Sequence, residues 1–206
     1  MQIIDARELS RRVRDWSRGR SRAMAPVWRA EALGESAPLP GAIRQAMGLN
    51  RILQRCATPL FDGELLVGMG NPARFCEPGD ARAADESAIG AARQRVQDVG
   101  QRMFRTHADH HAPDYPTLLA EGIGGVRRRA AEALADHDDP RHRDFLEAVA
   151  IAVDGASEYM IRWARHCRDE AGRRGGDELL EMHAAEMGHL AEHPPETFRQ
   201  AVQLVY

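Results

Sequence analysis

Residues 107 to 115 read His-Ala-Asp-His-His-Ala-Pro-Asp-Tyr, so three of the chain's nine histidines fall within five positions and two carboxylates accompany them. Imidazole and carboxylate together can ligate a metal, move a proton near neutral pH or make a polar surface. His107 and His111 are four apart and would share a helical face, with Asp109 or His110 as a further ligand. Zinc needs three or four such groups converging within ~2.3 Å. Pro113 takes the chain out of helix just past the cluster, and no second cluster is obliged to meet it. No metal is therefore expected here. A second candidate, Glu186-Met-Gly-His189, has the E-x-x-H spacing of a di-iron bundle. That chemistry needs two such motifs and two further glutamates. One motif is present, so a solvated helix end is expected instead.

The elements that must position these residues follow from composition and periodicity. The chain has 206 residues, of which 43% are apolar, enough for a sizeable core in a single helical domain over 1–206. Its net charge of -3 gives no electrostatic footprint for nucleic acid. All 28 basic residues are arginine, which excludes lysine Schiff-base and phosphate-loop lysine chemistry. There is no GxSxG nucleophile motif. Cys56, Cys76 and Cys167 are widely spaced, odd in number and without a CxxC, as suits a reducing cytosol. No apolar run approaches the ~20 residues of a membrane span, and the N-terminus lacks a signal-peptide core. A cytoplasmic protein is expected, with neither nucleic acid nor membrane as partner.

The periodicity predicts a mainly α fold. A first helix starts near Asp5, with Leu9, Val13 and Trp16 inward and an arginine-rich face outward. A loop is expected through Pro26, Pro38 and Pro40. A second helix, Gly41 to Cys56, carries Ala46, Leu49, Leu53 and Cys56 on its inward face. Residues 58 to 68 change period, and Asp62-Gly63 marks a turn in a short extended or hairpin segment. A loop rich in Gly, Pro and charge fills 69 to 85. A third helix runs from Asp85 to about Arg105. Asp114 caps a fourth with Leu118, Leu119, Ile123 and Val126 inward; its arginine run, 127 to 129, is assigned to the helix dipole. The fifth, Arg141 to Arg173, is long and central, with Phe145, Val149, Ala152, Ala156, Met160, Trp163 and Cys167 at spacings of three or four. A sixth covers Asp177 to Glu192. A seventh, from Glu196, bears a stripe of Phe198, Ala201, Val202 and Val205. It stops on Leu-Val-Tyr without polar capping residues, as an interrupted sequence would.

Three segments in order resemble one family. Pro40-Gly-Ala-Ile-Arg-Gln-Ala-Met-Gly-Leu-Asn-Arg-Ile-Leu followed by Phe61-Asp-Gly-Glu-Leu-Leu-Val-Gly68 is similar to the N-terminal region of glycyl radical enzymes, the pyruvate formate-lyase-like family. His110-His-Ala-Pro-Asp-Tyr115, followed by Leu119 and Gly122, resembles the family's H-x-x-x-D-Y segment. Glu192-His-Pro-Pro-Glu-Thr-Phe-Arg-Gln-Ala-Val-Gln-Leu-Val-Tyr206 resembles its P-P-x-[ST]-F-x-E-A-x-Q-L-x-[WF] helix. The resemblance implies the N-terminal helical part of the pyruvate formate-lyase-like fold, with the ten-stranded barrel absent. The family's thiyl cysteine loop and its R-V-x-G-Y-like glycyl motif do not occur here, and the three cysteines lie outside the thiyl position. The segment between Gly68 and His110 is shorter than the family's.

The resemblance thus implies a portion of a radical lyase or dehydratase that cleaves C–C, C–O or C–N bonds of a small organic substrate, catalytically incomplete as it stands. No catalytic residue and no bound cofactor are expected in it. The family's cofactor is a protein glycyl radical installed by a radical-SAM activating enzyme. In dehydratase members the residue matching His110 hydrogen-bonds a substrate hydroxyl, so His110 is expected to be a substrate-binding residue. Self-association or a partner subunit is expected through the last helix. The alternatives are a non-catalytic helical scaffold or interaction protein, and an independent metal-binding protein using His107, His111 and Asp109.

Overall fold

The computed structural model describes residues 4–18, 21–22, 24–68, 75–76, 84–98 and 113–206. These are mainly helical. Asp5 accepts the N–H groups of Arg7 (2.9 Å) and Glu8 (3.3 Å) and so caps α1 (Ala6–Arg18). Leu9, Val13 and Trp16 are half-buried, as their spacing predicts. Glu8 binds both Arg11 and Arg12, at 2.6 and 2.8 Å. Much of the arginine face is thus solvated and paired within the helix.

The expected loop through Pro26 holds a helix instead, α2 (Ala25–Glu35). Pro26 falls in its first turn, where proline's missing N–H has no helical partner to lose. Ser36 ends it, with N–H and Oγ both bonded to the Ala32 carbonyl, at 3.0 and 2.6 Å. Val27, Ala30 and Leu33 pack on Ala92 and Val96 of α4 (Glu86–Asp98). The stretch expected to continue that helix to Arg105 lies outside the described residues beyond 98. Two-residue strands β1 (Ser21–Arg22) and β2 (Phe75–Cys76) pair antiparallel.

In α3 (Gly41–Arg55) the inward residues are Ile43, Ala46 and Gly48. Leu49, expected inside, is 45% exposed, because α3 meets its neighbours through the Ile43–Ala46 side. The following segment, 57 to 68, is extended rather than helical, with a turn at Asp62–Gly63 and no strand pairing of its own.

Asp114 accepts the Thr117 N–H (3.2 Å) and caps α5 (Tyr115–Asp136). The helix is kinked at Gly122, where φ is +67°. A side chain there would stand 2.6 Å from the backbone of His193 and Pro194, so only glycine fits both the left-handed backbone and the close approach. After the break at 137–139, α6 (Pro140–Arg173) runs 34 residues and packs against α3, α5 and α7 (Glu178–Leu190). It is central, as its periodicity predicts. Trp163, Ala164 and Cys167 form a core with Val67, Ala184 and Met187. Phe145, in the second turn, is 61% exposed.

α7 is capped by Asp177, and α8 (Phe198–Val205) by a capping box of Thr197 and Gln200. The apolar stripe of α8 lies outward: Phe198 is 87% exposed and Val202 and Val205 face solvent, while Gln203 and Leu204 are buried. Among the described residues no helix is long and apolar enough to cross a membrane.

Candidate functional site

His107, Asp109, His110 and His111 lie outside the described residues, which begin again at Pro113. The Asp114-Tyr115 pair of the same motif sits at the N-terminus of α5, so the chain just after the cluster is anchored to a capped helix. The Glu186/His189 pair does not converge. Glu186 takes Arg199, with contacts of 2.6, 3.0 and 3.1 Å. His189 Nε2 donates to the Pro194 carbonyl at 2.8 Å. Among the described residues no three His, Cys, Asp or Glu side chains gather into a metal set. Cys56 and Cys167 are buried and in no disulfide among the described residues. Burial pushes the Cys167 thiol up to about 12 and keeps it protonated. Arg127, in the run assigned to the helix dipole, instead bridges Asp154 on α6 and Glu192 after α7, both at 2.7 Å.

The most constructed feature is the way residues 53 to 68 are laced across the helices. Arg162, His166, Glu170 and Arg174 stand four apart on one face of α6 and its end. Arg162 donates to the carbonyls of Leu53 (2.5 Å) and Cys56. His166 Nδ1 donates to the Thr58 carbonyl at 2.8 Å, and Thr58 Oγ1 lies 2.9 Å from it. Arg174 grips Asp62 at 2.5 Å and Glu170 at 2.6 Å. On α7, His183 Nε2 donates to the Glu64 carbonyl at 2.9 Å. Its Nδ1 must then accept, and it takes Arg199 Nη2 at 3.0 Å. Burial lowers the His183 pKa, which agrees with this neutral tautomer. On α8, Gln203 binds both polar groups of the Val67 peptide. Beneath the lace Glu64 is 1% exposed, and Phe61 N–H donates to its Oε1 at 3.1 Å.

None of these anchors is singled out by local sequence. The available signal was a charged or imidazole residue every fourth position from 162 to 174. The lace joins the Phe61–Gly68 segment to the Pro194–Tyr206 segment, two motifs more than a hundred residues apart.

Residues 80–206 match the sequence profile described as pyruvate formate lyase-like. The chain belongs to the pyruvate formate lyase-like family. It is 36% identical over 106 residues to the probable dehydratase YbiW of Escherichia coli (strain K12), covering 47% of this chain and 13% of that protein. It is 31% identical over 121 residues to the (2S)-3-sulfopropanediol dehydratase of Klebsiella oxytoca, covering 52% and 15%. A structure described under 1,2-propanediol dehydration in Roseburia inulinivorans shares the fold with a TM-score of 0.76 at 19% identity, over 100% of this chain and 33% of that one. The chain therefore spans about a third of the length of these structural neighbours, and the part it shares with them is mainly helical.

Proposed function

We propose that this chain is the N-terminal helical part of a glycyl radical dehydratase, acting as one domain that builds one wall of a substrate pocket. The observation carrying this reading is that the whole chain superposes on one third of a propanediol-dehydrating relative. The relatives it matches in sequence are a probable dehydratase and a (2S)-3-sulfopropanediol dehydratase. The substrate class is a small organic molecule bearing a hydroxyl to be eliminated, of the diol kind. A barrel portion would carry the thiyl cysteine and the glycyl radical, and that radical, installed by a radical-SAM activating enzyme, supplies the hydrogen abstraction.

The contribution of this chain's own residues is polar. Loss of water from a diol-like radical needs a proton donor or acceptor beside the departing oxygen, and imidazole is suited to that at neutral pH. His110 takes this role by resemblance, hydrogen-bonding the substrate hydroxyl. The Asp114 cap on α5 gives the segment after it a fixed point. The buried thiols fit a reducing cytoplasm. The outward stripe of α8, Phe198 with Val202 and Val205, is the association surface, taken by a second copy when the chain is alone.

The test is a chimera in which these 206 residues replace the matching third of a propanediol dehydratase. With the activating enzyme, the chimera should convert diol to aldehyde and the isolated chain should not. His110→Ala in the chimera should lower kcat by about 10²–10⁴. A glycyl EPR doublet on the isolated chain, or a chimera indifferent to His110, overturns the reading.

A further inference from the structure

A buried carboxyl with unused hydrogen-bonding capacity is costly, and it persists only where the surrounding packing imposes it. Glu64 is such a group. Its Oε2 meets no partner among the described residues, and the carboxyl is 1% exposed. It lines a cavity of about 10 Å³ with Leu60, Leu180 and His183. That volume holds at most about one water and no hydrated cation.

The charges around it do not compensate. Asp62, on the same segment, is an anion. Arg174, which lines the cavity, is already bound to Asp62 and Glu170. Asp177, also lining it, caps α7. From α6 the Cys167 thiol faces Glu64, and beyond α8 Tyr206 does, both with raised pKa values. From α7 comes His183, with Arg199 behind it held by Glu186. Burial, then the Asp62 charge, push the Glu64 carboxyl up to about 8, against the lowering effect of the Phe61 N–H. The segment covers the core: Val67 packs on Trp163 and Cys167. Gly63 within the segment and Gly68 just after it, with φ of +78° and +118°, are natural pivots.

We propose that Glu64 is a proton-operated latch: while its carboxyl is neutral, residues 60–67 lie closed on α6 and α7, and loss of that proton to solvent lifts the segment and uncovers Trp163 and Cys167. The sign follows from the two states. Closed, the group titrates near 8; open, it returns to the ordinary 4.5. Closure is thus fully supported below the open-state value. It weakens about tenfold per pH unit from roughly pH 5 to roughly pH 8, and is constant above that. This proposal is independent of the dehydratase chemistry.

The test is hydrogen exchange of the 206-residue chain and of Glu64→Gln, each amide rate being divided by its unstructured rate at the same pH. Protection of the Val67 amide should fall about tenfold per pH unit between roughly pH 5 and 8 in the wild type. It should stay flat in Glu64→Gln, while the α3 amides hold in both. Equal slopes in the two proteins, a flat wild type, or loss of α3 protection in step with Val67 overturns the latch. Should Glu64→Gln fail to fold, carbon-13 titration of the wild-type Glu64 carboxyl decides. A midpoint raised clearly above 4.5, at or below about 8, with the Val67 amide shifting over the same pH range supports it, and a midpoint in the ordinary carboxylate range overturns it.

Discussion

Gln203 closes on both sides of the Val67 peptide: its Oε1 accepts the Val67 N–H at 2.9 Å and its Nε2 donates to the Val67 carbonyl at 3.0 Å. One side chain on α8 thus does for residue 67 what a neighbouring strand would do, across 136 positions. Both partners are buried, so the pair stands in for water that cannot reach them.

Gln203→Ala should therefore cost about 1–3 kcal/mol for each orphaned Val67 group. Urea unfolding checks this. A change within about 0.5 kcal/mol means that water already satisfies the peptide.

Arg162→Met keeps the aliphatic stem and removes the two charge-assisted bonds to the Leu53 and Cys56 carbonyls. It should destabilise by about 1.5–3 kcal/mol per bond at most. Arg127→Ala, at an exposed pair of bridges, should cost no more than about 1 kcal/mol. The order of the two midpoints in denaturant is the decisive reading, and Arg127 outranking Arg162 contradicts it.

Gly122→Ala meets a left-handed backbone and the His193–Pro194 main chain at 2.6 Å. At least about 1–3 kcal/mol should be lost from the backbone alone. A thermal midpoint equal to wild type excludes a left-handed kink at Gly122.

His183 has its folded pKa lowered from 6.5 by burial, so the neutral ring's contribution is complete above the unfolded value. It is lost as pH falls from about 6.5 toward the lower folded value. Subtracting the stability of His183→Gln from that of wild type at each pH isolates this effect from Glu64. The difference should shrink on acidification, and a difference that grows reverses the assigned tautomer.

Phe198→Asp should shift the isolated chain toward monomer or make it aggregate, since Phe198 is the most outward of the α8 stripe. Light scattering that shows a stable monomer before and after the change removes α8 as an association surface.

Local signals were legible wherever one residue made the decision. Asp114 and Asp177 cap helices where a carboxylate precedes an apolar period, and α6 opens at Pro140, one residue from the expected start at Arg141. The Asp62–Gly63 turn falls in its non-helical segment. Proline misled at 26, because its presence in a first turn and its presence in a loop look alike without the neighbouring helix. Leu49 and Phe145 misled in another way. Periodicity says which residues share a face, but covering that face depends on what packs there.

By itself, then, the sequence determined the helical class, most helix starts and the family, since caps, periods and short motifs are written within a few residues of one another. The tertiary structure alone decided the burial of Glu64, the lacing of residues 53 to 68 and the outward turn of Phe198. Those depend on side chains meeting backbone from 101 to 136 positions away, as Asn50 meets Ile151 and Gln203 meets Val67, and pairings over such distances leave no local pattern to read.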